Sequence, residues 1–367
     1  MGFGARTAFV LRAIGLGALA VAVALMAGQV AVRLALSPPS PAPAGRAPEG
    51  GLSAVPDPEL AWIFPPHSEG DVWSATHTTR VRTDHLGLRD PGRRRGSSRR
   101  IVVLGDSYAF GWGVAEEESF PRQLERMLHG AYADAAVEVM NAGVPGYGLY
   151  QQRAILERIL ADAPVDIVVS TFSLSNDCVD DLRILRFAPD RLEQYSPSFR
   201  REGTVISRII DGSRLLSGID RRTSPQQFKI ANASPAAVRA ASCCLDDLLS
   251  RCRENGARVL VVVLPQRMEV ASAGPRKWVA TAMAASARRE VARVAGEHGV
   301  PMIDVTQALR AVQARGGAYL PNDAHWTPAG HEAVAREILE AIPREWLVDE
   351  PEGGRSEDPL APHDDAP

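Results

Sequence analysis

The chain has 367 residues, 45% apolar and 23% charged, with a formal net charge of −3. That is enough chain for a full hydrophobic core, and the charge balance excludes a protein whose affinity rests on neutralising nucleic-acid phosphates. The four cysteines, Cys178, Cys243, Cys244 and Cys252, form no C-x-x-C pair, which argues against a zinc site or a thioredoxin-like motif. A disulfide between Cys178 and one of the others stays open.

Residues 1–12 carry Arg6 and Arg12, and Ala13–Val32 follows as a stretch without charge. As a helix it would rise about 30 Å, the thickness of a bilayer's hydrocarbon core. Arg33 follows, and the excess of positive charge ahead of the stretch predicts an N-terminus inside and a body outside the cytoplasm. An uncleaved single-pass anchor over 13–32 is therefore expected. Cleavage and secretion is the competing reading, weakened by an apolar stretch longer than a usual signal peptide's. Residues 33–56, rich in Pro, Ala and Gly, read as a linker. The acidic, Pro-rich residues 348–367 read as a disordered tail.

The folded body is expected over 57–347. The Arg93–Arg95 run, just ahead of the first predicted core strand, reads as a solvated loop. Short apolar runs at Ile101–Leu104, Val137–Met140, Ile167–Phe172, Val259–Leu264 and Pro301–Val305 predict five core strands. Helical patterns separate or follow them at Phe120–Leu128, Tyr150–Leu160, Ala236–Glu254, Lys277–His298 and Pro328–Ile342, the last with Thr327 as N-cap. Alternation of this kind predicts an α/β fold, a three-layer α/β/α sandwich around a parallel sheet of about five strands. Residues 181–233 break the rhythm and read as an insertion near the site.

In such sheets ligands bind at the carboxyl ends of the strands, and those ends carry the chemistry. The first strand runs into Gly105-Asp106-Ser107, the second into Asn141-Ala-Gly143-Val-Pro-Gly146-Tyr-Gly148, and the third into Ser175-Asn176-Asp177. Asp323-Ala-His325-Trp326 stands ahead of the last helix. A serine, a base and a carboxylate that orients the base are the parts nucleophilic acyl transfer needs. The sequence holds no HExxH, and the six-residue gap between His325 and His331 does not match a helical zinc pair, so no metal is expected. It holds no GxGxxG after a strand and no GxxxxGK[ST], so no nucleotide cofactor is expected. The nucleophile elbow GxSxG is also missing.

These blocks resemble the SGNH/GDSL hydrolase superfamily. The resemblance rests on GDSYAFGWGV (Gly105–Val114), NAGVPGYG (Asn141–Gly148), SND (Ser175–Asp177) and DAHWTPAGH (Asp323–His331), with DHLGLRD (Asp84–Asp90) similar to a segment of membrane-associated bacterial members. It implies Ser107 as nucleophile, His325 as general base and Asp323 as the carboxylate that orients it. It implies an oxyanion hole of the Ser107 and Gly146 backbone N–H groups and the Asn176 side-chain amide. Two positions depart from the family pattern. Leu174 stands where the third block usually has Gly, and the last block is Asp-x-His rather than Asp-x-x-His, with Asn322 at the more usual acidic position. The shorter form resembles that of alginate-acetyltransferase-like members.

The function implied is hydrolysis of a carboxylic ester through an acyl-enzyme on Ser107. The substrate would be an acylated lipid, a small ester or an acetylated glycan. Transfer of an acetyl group on an envelope polysaccharide is an alternative that uses the same residues, and an inactive carbohydrate-binding module is a third. Beside these roles stand blander ones. Ser107 would suit a helix N-cap, and Pro145-Gly146 a plain turn. Asp106, Asp177 and His331 read as structural, and Trp112 and Trp326 as core.

Overall fold

A computed structural model describes residues 51–73, 77–89, 99–132, 136–187, 234–271 and 273–348. The expected anchor at 13–32, the residues before it, most of the linker and residues 349–367 lie outside the described residues. Among those described, no helix is long and apolar enough to cross a membrane.

Five strands form the central sheet: β5 (Arg99–Gly105), β6 (Val137–Gly143), β7 (Ile167–Ser173), β8 (Arg258–Leu264) and β9 (Met302–Asp304). All neighbours pair in parallel, in the order β6-β5-β7-β8-β9. The near-continuous apolar runs follow from covering both faces. Val102 and Leu104 of β5 join Met140, Val168, Val261 and Val263 in one core, packed under the helices Leu149–Asp162, Pro235–Glu254 and Pro275–Glu297. Ile101 and Val103, with Val139, Val169, Leu260 and Val262, face a second core under Phe120–Ala131, Thr306–Arg315 and Pro328–Ala341. The predicted strands and helices are thus all present, within a few residues of their expected bounds. Proline in the first turn starts four of these helices, and Ser234 and Thr327 cap two of them through their side-chain oxygens.

Three expectations need correction. The linker does not extend to residue 56, because the chain already pairs there. Strand β1 (Val55–Asp57) forms an antiparallel hairpin with β2 (Ala61–Ile63), and Leu52 packs on Phe64, Val72, Val81 and Phe110. The turn is fixed because Asp57 accepts the Glu59 and Leu60 N–H groups and takes a bidentate ion pair from Arg158. A second hairpin, β3 (Glu69–Trp73) with β4 (Thr78–Arg82), follows. At the other end, Val348, expected in the tail, packs against the second core. The insertion does not begin at 181 either: residues 181–187 complete the helix Asp177–Phe187, and 188–233 lie outside the described residues. All four cysteines are free thiols.

Strand order reverses after β5, since β6 lies on one side of it and β7 on the other. The topological switch point of the sheet therefore lies at the carboxyl ends of β5 and β7, the place where sheets of this kind bind ligands.

Candidate active site

Strand β5 ends at Gly105, which must be glycine here: a Cβ would stand 2.1 Å from Thr171 Oγ1 on the neighbouring strand. The chain then turns into a one-turn helix, Ser107–Phe110, closed by Gly111 in a left-handed conformation with φ +80°. Its N-cap is Asp106, whose Oδ1 accepts the Tyr108 N–H at 2.9 Å. Ser107 is therefore not the cap, and its hydroxyl is left for another partner.

That partner is His325. Its Nε2 lies 2.7 Å from Ser107 Oγ, and its Nδ1 lies 2.6 Å from Asp323 Oδ1. Asp323 Oδ1 also accepts the His325 backbone N–H at 3.0 Å. With Nδ1–H donated to the carboxylate, the Nε2 lone pair faces the serine hydroxyl. Asn322, one residue earlier, has a left-handed backbone at φ +56° and an exposed side chain. The Asp-x-His spacing thus brings Asp323, not Asn322, to the imidazole.

The loop carrying Asp323 and His325 is held from several sides. Tyr108 donates its hydroxyl to the Ala324 carbonyl at 3.0 Å, and Arg267 donates to the Asp323 carbonyl. The Tyr108 and Trp112 rings lie 5.2 and 6.0 Å from the imidazole. Trp112 is half-buried at the site, whereas Trp326 is core, as expected. His77 Nδ1 comes within 3.8 Å of Asp323 Oδ2, on the carboxylate oxygen that His325 does not use. Neither Arg267 nor His77 was anticipated. Each sits alone in a segment without a motif, and only the fold brings it to the site.

Two other strand ends complete this edge. Gly146, in the turn after β6, has φ +83°, which the Pro145-Gly146 dipeptide anticipates. Asn176 precedes the helix Asp177–Phe187. Its side-chain carbonyl accepts the Ser173 hydroxyl at 2.8 Å, which fixes the amide orientation. One amide hydrogen then reaches Asp180 Oδ2 at 2.9 Å, and Asp177 Oδ1 lies farther off at 3.3 Å. The structure thus brings Ser107, His325 and Asp323 into direct contact and holds the Asn176 amide among Ser173, Asp177 and Asp180. Leu174, at the unusual third-block position, is buried, and its carbonyl accepts from Gln266 Nε2 at 2.9 Å.

Buried carboxyls underlie the site. Burial pushes Asp106 up, and it pushes Asp177 well up, helped there by the charges of Asp106 and Asp181. Burial also raises Asp181 to about 8, although it accepts the Tyr150 N–H. His331 is packed, as expected: its Nδ1 accepts the Phe120 N–H at 3.2 Å, and burial lowers it to about 3, so it is neutral. Among the described residues no cluster of His, Cys, Asp and Glu is arranged to hold a metal ion.

Residues 103–333, more than half of the chain, match the GDSL-like lipase/acylhydrolase family. The chain belongs to this family. It is an ester hydrolase of the SGNH/GDSL type that works through a serine. Curated protein sequences include none that matches it. Solved structures similar to this GDSL-family hydrolase include LAE5, an alpha/beta hydrolase enzyme from the metagenome of Lake Arreo, Spain. That similarity is 16% identity over 67% of this chain and 95% of that one, with a TM-score of 0.43. Another is Axe2, an acetylxylan esterase from Geobacillus stearothermophilus, 16% identical over 70% of this chain and 100% of that one, with a TM-score of 0.42.

Proposed function

We propose that Ser107, His325 and Asp323 are the catalytic triad of this hydrolase, acting on a carboxylic ester. The 2.7 Å approach of His325 Nε2 to Ser107 Oγ carries the reading. His325 takes the Ser107 proton as Oγ attacks the ester carbonyl, forming a tetrahedral oxyanion. Collapse expels the alcohol, which takes that proton from His325, and leaves an acyl-enzyme. Water then attacks the acyl carbon, giving its proton to His325. The second collapse releases the carboxylic acid and returns the proton to Ser107. Asp323 stays ionised throughout and stabilises the imidazolium.

The oxyanion would be met by the Ser107 N–H at the start of its helix, by the Gly146 N–H and by Asn176 Nδ2. Losing one such donor typically costs about 3–4 kcal/mol of barrier.

In the same reading the catalytic body is tethered outside the cytoplasm by Ala13–Val32, supported by Arg6 and Arg12 ahead of that stretch. There an ester of the envelope, such as an acetylated glycan, is within reach. The test is release of p-nitrophenol from p-nitrophenyl acetate, and of acetate from acetylated polysaccharide, by the purified chain beside Ser107→Ala. Turnover that survives Ser107→Ala would overturn the assignment.

A further inference from the structure

The family match begins at residue 103, yet residues ahead of it reach the Gly146 turn, the end of the Ser107 helix and Asp323. Trp62, in β2, meets the Gly146 turn twice. Its indole N–H donates to the Pro145 carbonyl at 3.1 Å, and its ring lies 3.2 Å from where a Cβ on Gly146 would stand. The Tyr147 hydroxyl returns the contact, donating to the Trp62 carbonyl at 2.6 Å. The residue that supplies the Gly146 N–H is thus bracketed on both sides by bonds to Trp62. A left-handed turn has few intrinsic restraints, so such outside bonds decide where its N–H points.

Arg89 does the same for the nucleophile turn. Asp84 accepts the Leu86 and Leu88 N–H groups, and Gly87, at φ +79°, packs so tightly that a Cβ would stand 2.1 Å from the Phe64 carbonyl oxygen. This turn drives Leu88 and Arg89 inward, which explains the DHLGLRD segment physically. Arg89 is 1% exposed. Its guanidinium donates to the carbonyls of Phe110, Gly111 and Val114 at 2.8, 2.7 and 3.0 Å and lies over the Phe110 ring. It thereby satisfies carbonyls that a one-turn helix leaves open at its C-terminal end and adds a cation there. Thr79 accepts the Gly113 N–H at 2.8 Å, and His77 stands beside Asp323.

We propose that residues 51–73 and 77–89 are a working part of the active site, with Trp62 a positioning residue for the Gly146 N–H and Arg89 one for the Ser107 turn. The proposal rests on the ester-hydrolase reading of the same site. A donor displaced by even about 1 Å can cost on the order of a hundredfold in rate without weakening substrate binding. Packing alone would predict lower thermal stability and unchanged turnover by each correctly folded site.

The test uses the full chain, with sites counted by stoichiometric fluorophosphonate labelling and kcat and KM measured on p-nitrophenyl acetate. Trp62→Ala is expected to lower kcat per labelled site by at least roughly tenfold with KM within about twofold. Trp62→Phe, which keeps a ring against Gly146 but loses the bond to Pro145, should fall between. Arg89→Lys, which keeps the charge but not the fork of donors, should also lower kcat at little change in KM. If Trp62→Ala fails to fold, Trp62→Phe and Arg89→Lys decide. Unchanged kcat per labelled site in both would overturn the proposal, whatever their melting temperatures. A wild-type chain with no Ser107-dependent turnover and no labelling would overturn the underlying reading, and this proposal with it.

Discussion

Asp323 holds His325 at two points, accepting its ring Nδ1–H at 2.6 Å and its backbone N–H at 3.0 Å through the same carboxylate oxygen. One residue thus fixes both the tautomer and the chain that carries the ring. Asp323→Asn is expected to lower kcat by on the order of 10⁴-fold, because a neutral amide neither fixes the right tautomer nor supports the imidazolium. Asn322→Gly, which accepts the left-handed backbone and removes only an exposed side chain, should stay within about twofold. Steady-state kinetics on p-nitrophenyl acetate separate them. A larger loss from Asn322→Gly than from Asp323→Asn would reassign the orienting residue.

Asn176 is oriented by Ser173 and Asp180. Asn176→Ala should lower kcat about 10²–10³-fold with little change in KM, the signature of an oxyanion donor. Ser173→Ala frees the amide to flip, so its effect should have the same character and be smaller. A rise in KM with kcat preserved would assign Asn176 to substrate binding instead.

Gly146→Ala combines two penalties. A side chain at φ +83° costs on the order of 1–2 kcal/mol, and the new methyl would press on the Trp62 ring at 3.2 Å. Both a lower melting temperature and a lower kcat are expected. A variant as active and as stable as the parent would show that the turn can relax without consequence.

Stability should depend on pH through the buried Asp181. Its folded value, raised to about 8, means that the native state holds a proton the unfolded chain releases between about pH 4 and 8. The slope of stability against pH is negative wherever the native state binds more protons. The Asp181 contribution is therefore fully present below about pH 4 and is lost as pH rises through 8. His331, lowered to about 3, acts oppositely: its contribution is present above about 6.5 and is lost as pH falls toward 3. Asp181→Asn keeps an acceptor for the Tyr150 N–H without an ionisable proton. Its melting temperature should fall less than the parent's between pH 6 and 9. An unchanged pH slope would contradict the raised value.

The sheet was legible because strands buried on both faces read as unbroken apolar runs, Val102-Val103-Leu104 and Val259 to Leu264 among them. Ser107, His325 and Asp323 were legible because each sits at a strand end or ahead of a helix in a short block with little freedom in spacing. The N-terminal hairpins were not. β1 and β2 have three residues each, and they are held by distant partners such as Arg158 and Tyr147. The Ser107–Phe110 helix is too short to show a period, and Asp106 and Ser107 are both good capping residues, so the sequence alone does not tell which of them caps it. Arg89 shows only as part of the DHLGLRD segment, and Trp62 carries no local signal. Their contacts span 21 and 83 residues, so only the folded chain shows what they hold.

The central claim is that His325 activates Ser107 as the nucleophile. The most direct measurement is the mass of the chain after treatment with a fluorophosphonate, with the modified peptide located by fragmentation. The account predicts one adduct, on Ser107, lost in Ser107→Ala and nearly abolished in His325→Ala. An adduct elsewhere, or labelling of Ser107 that proceeds equally fast without His325, would contradict it.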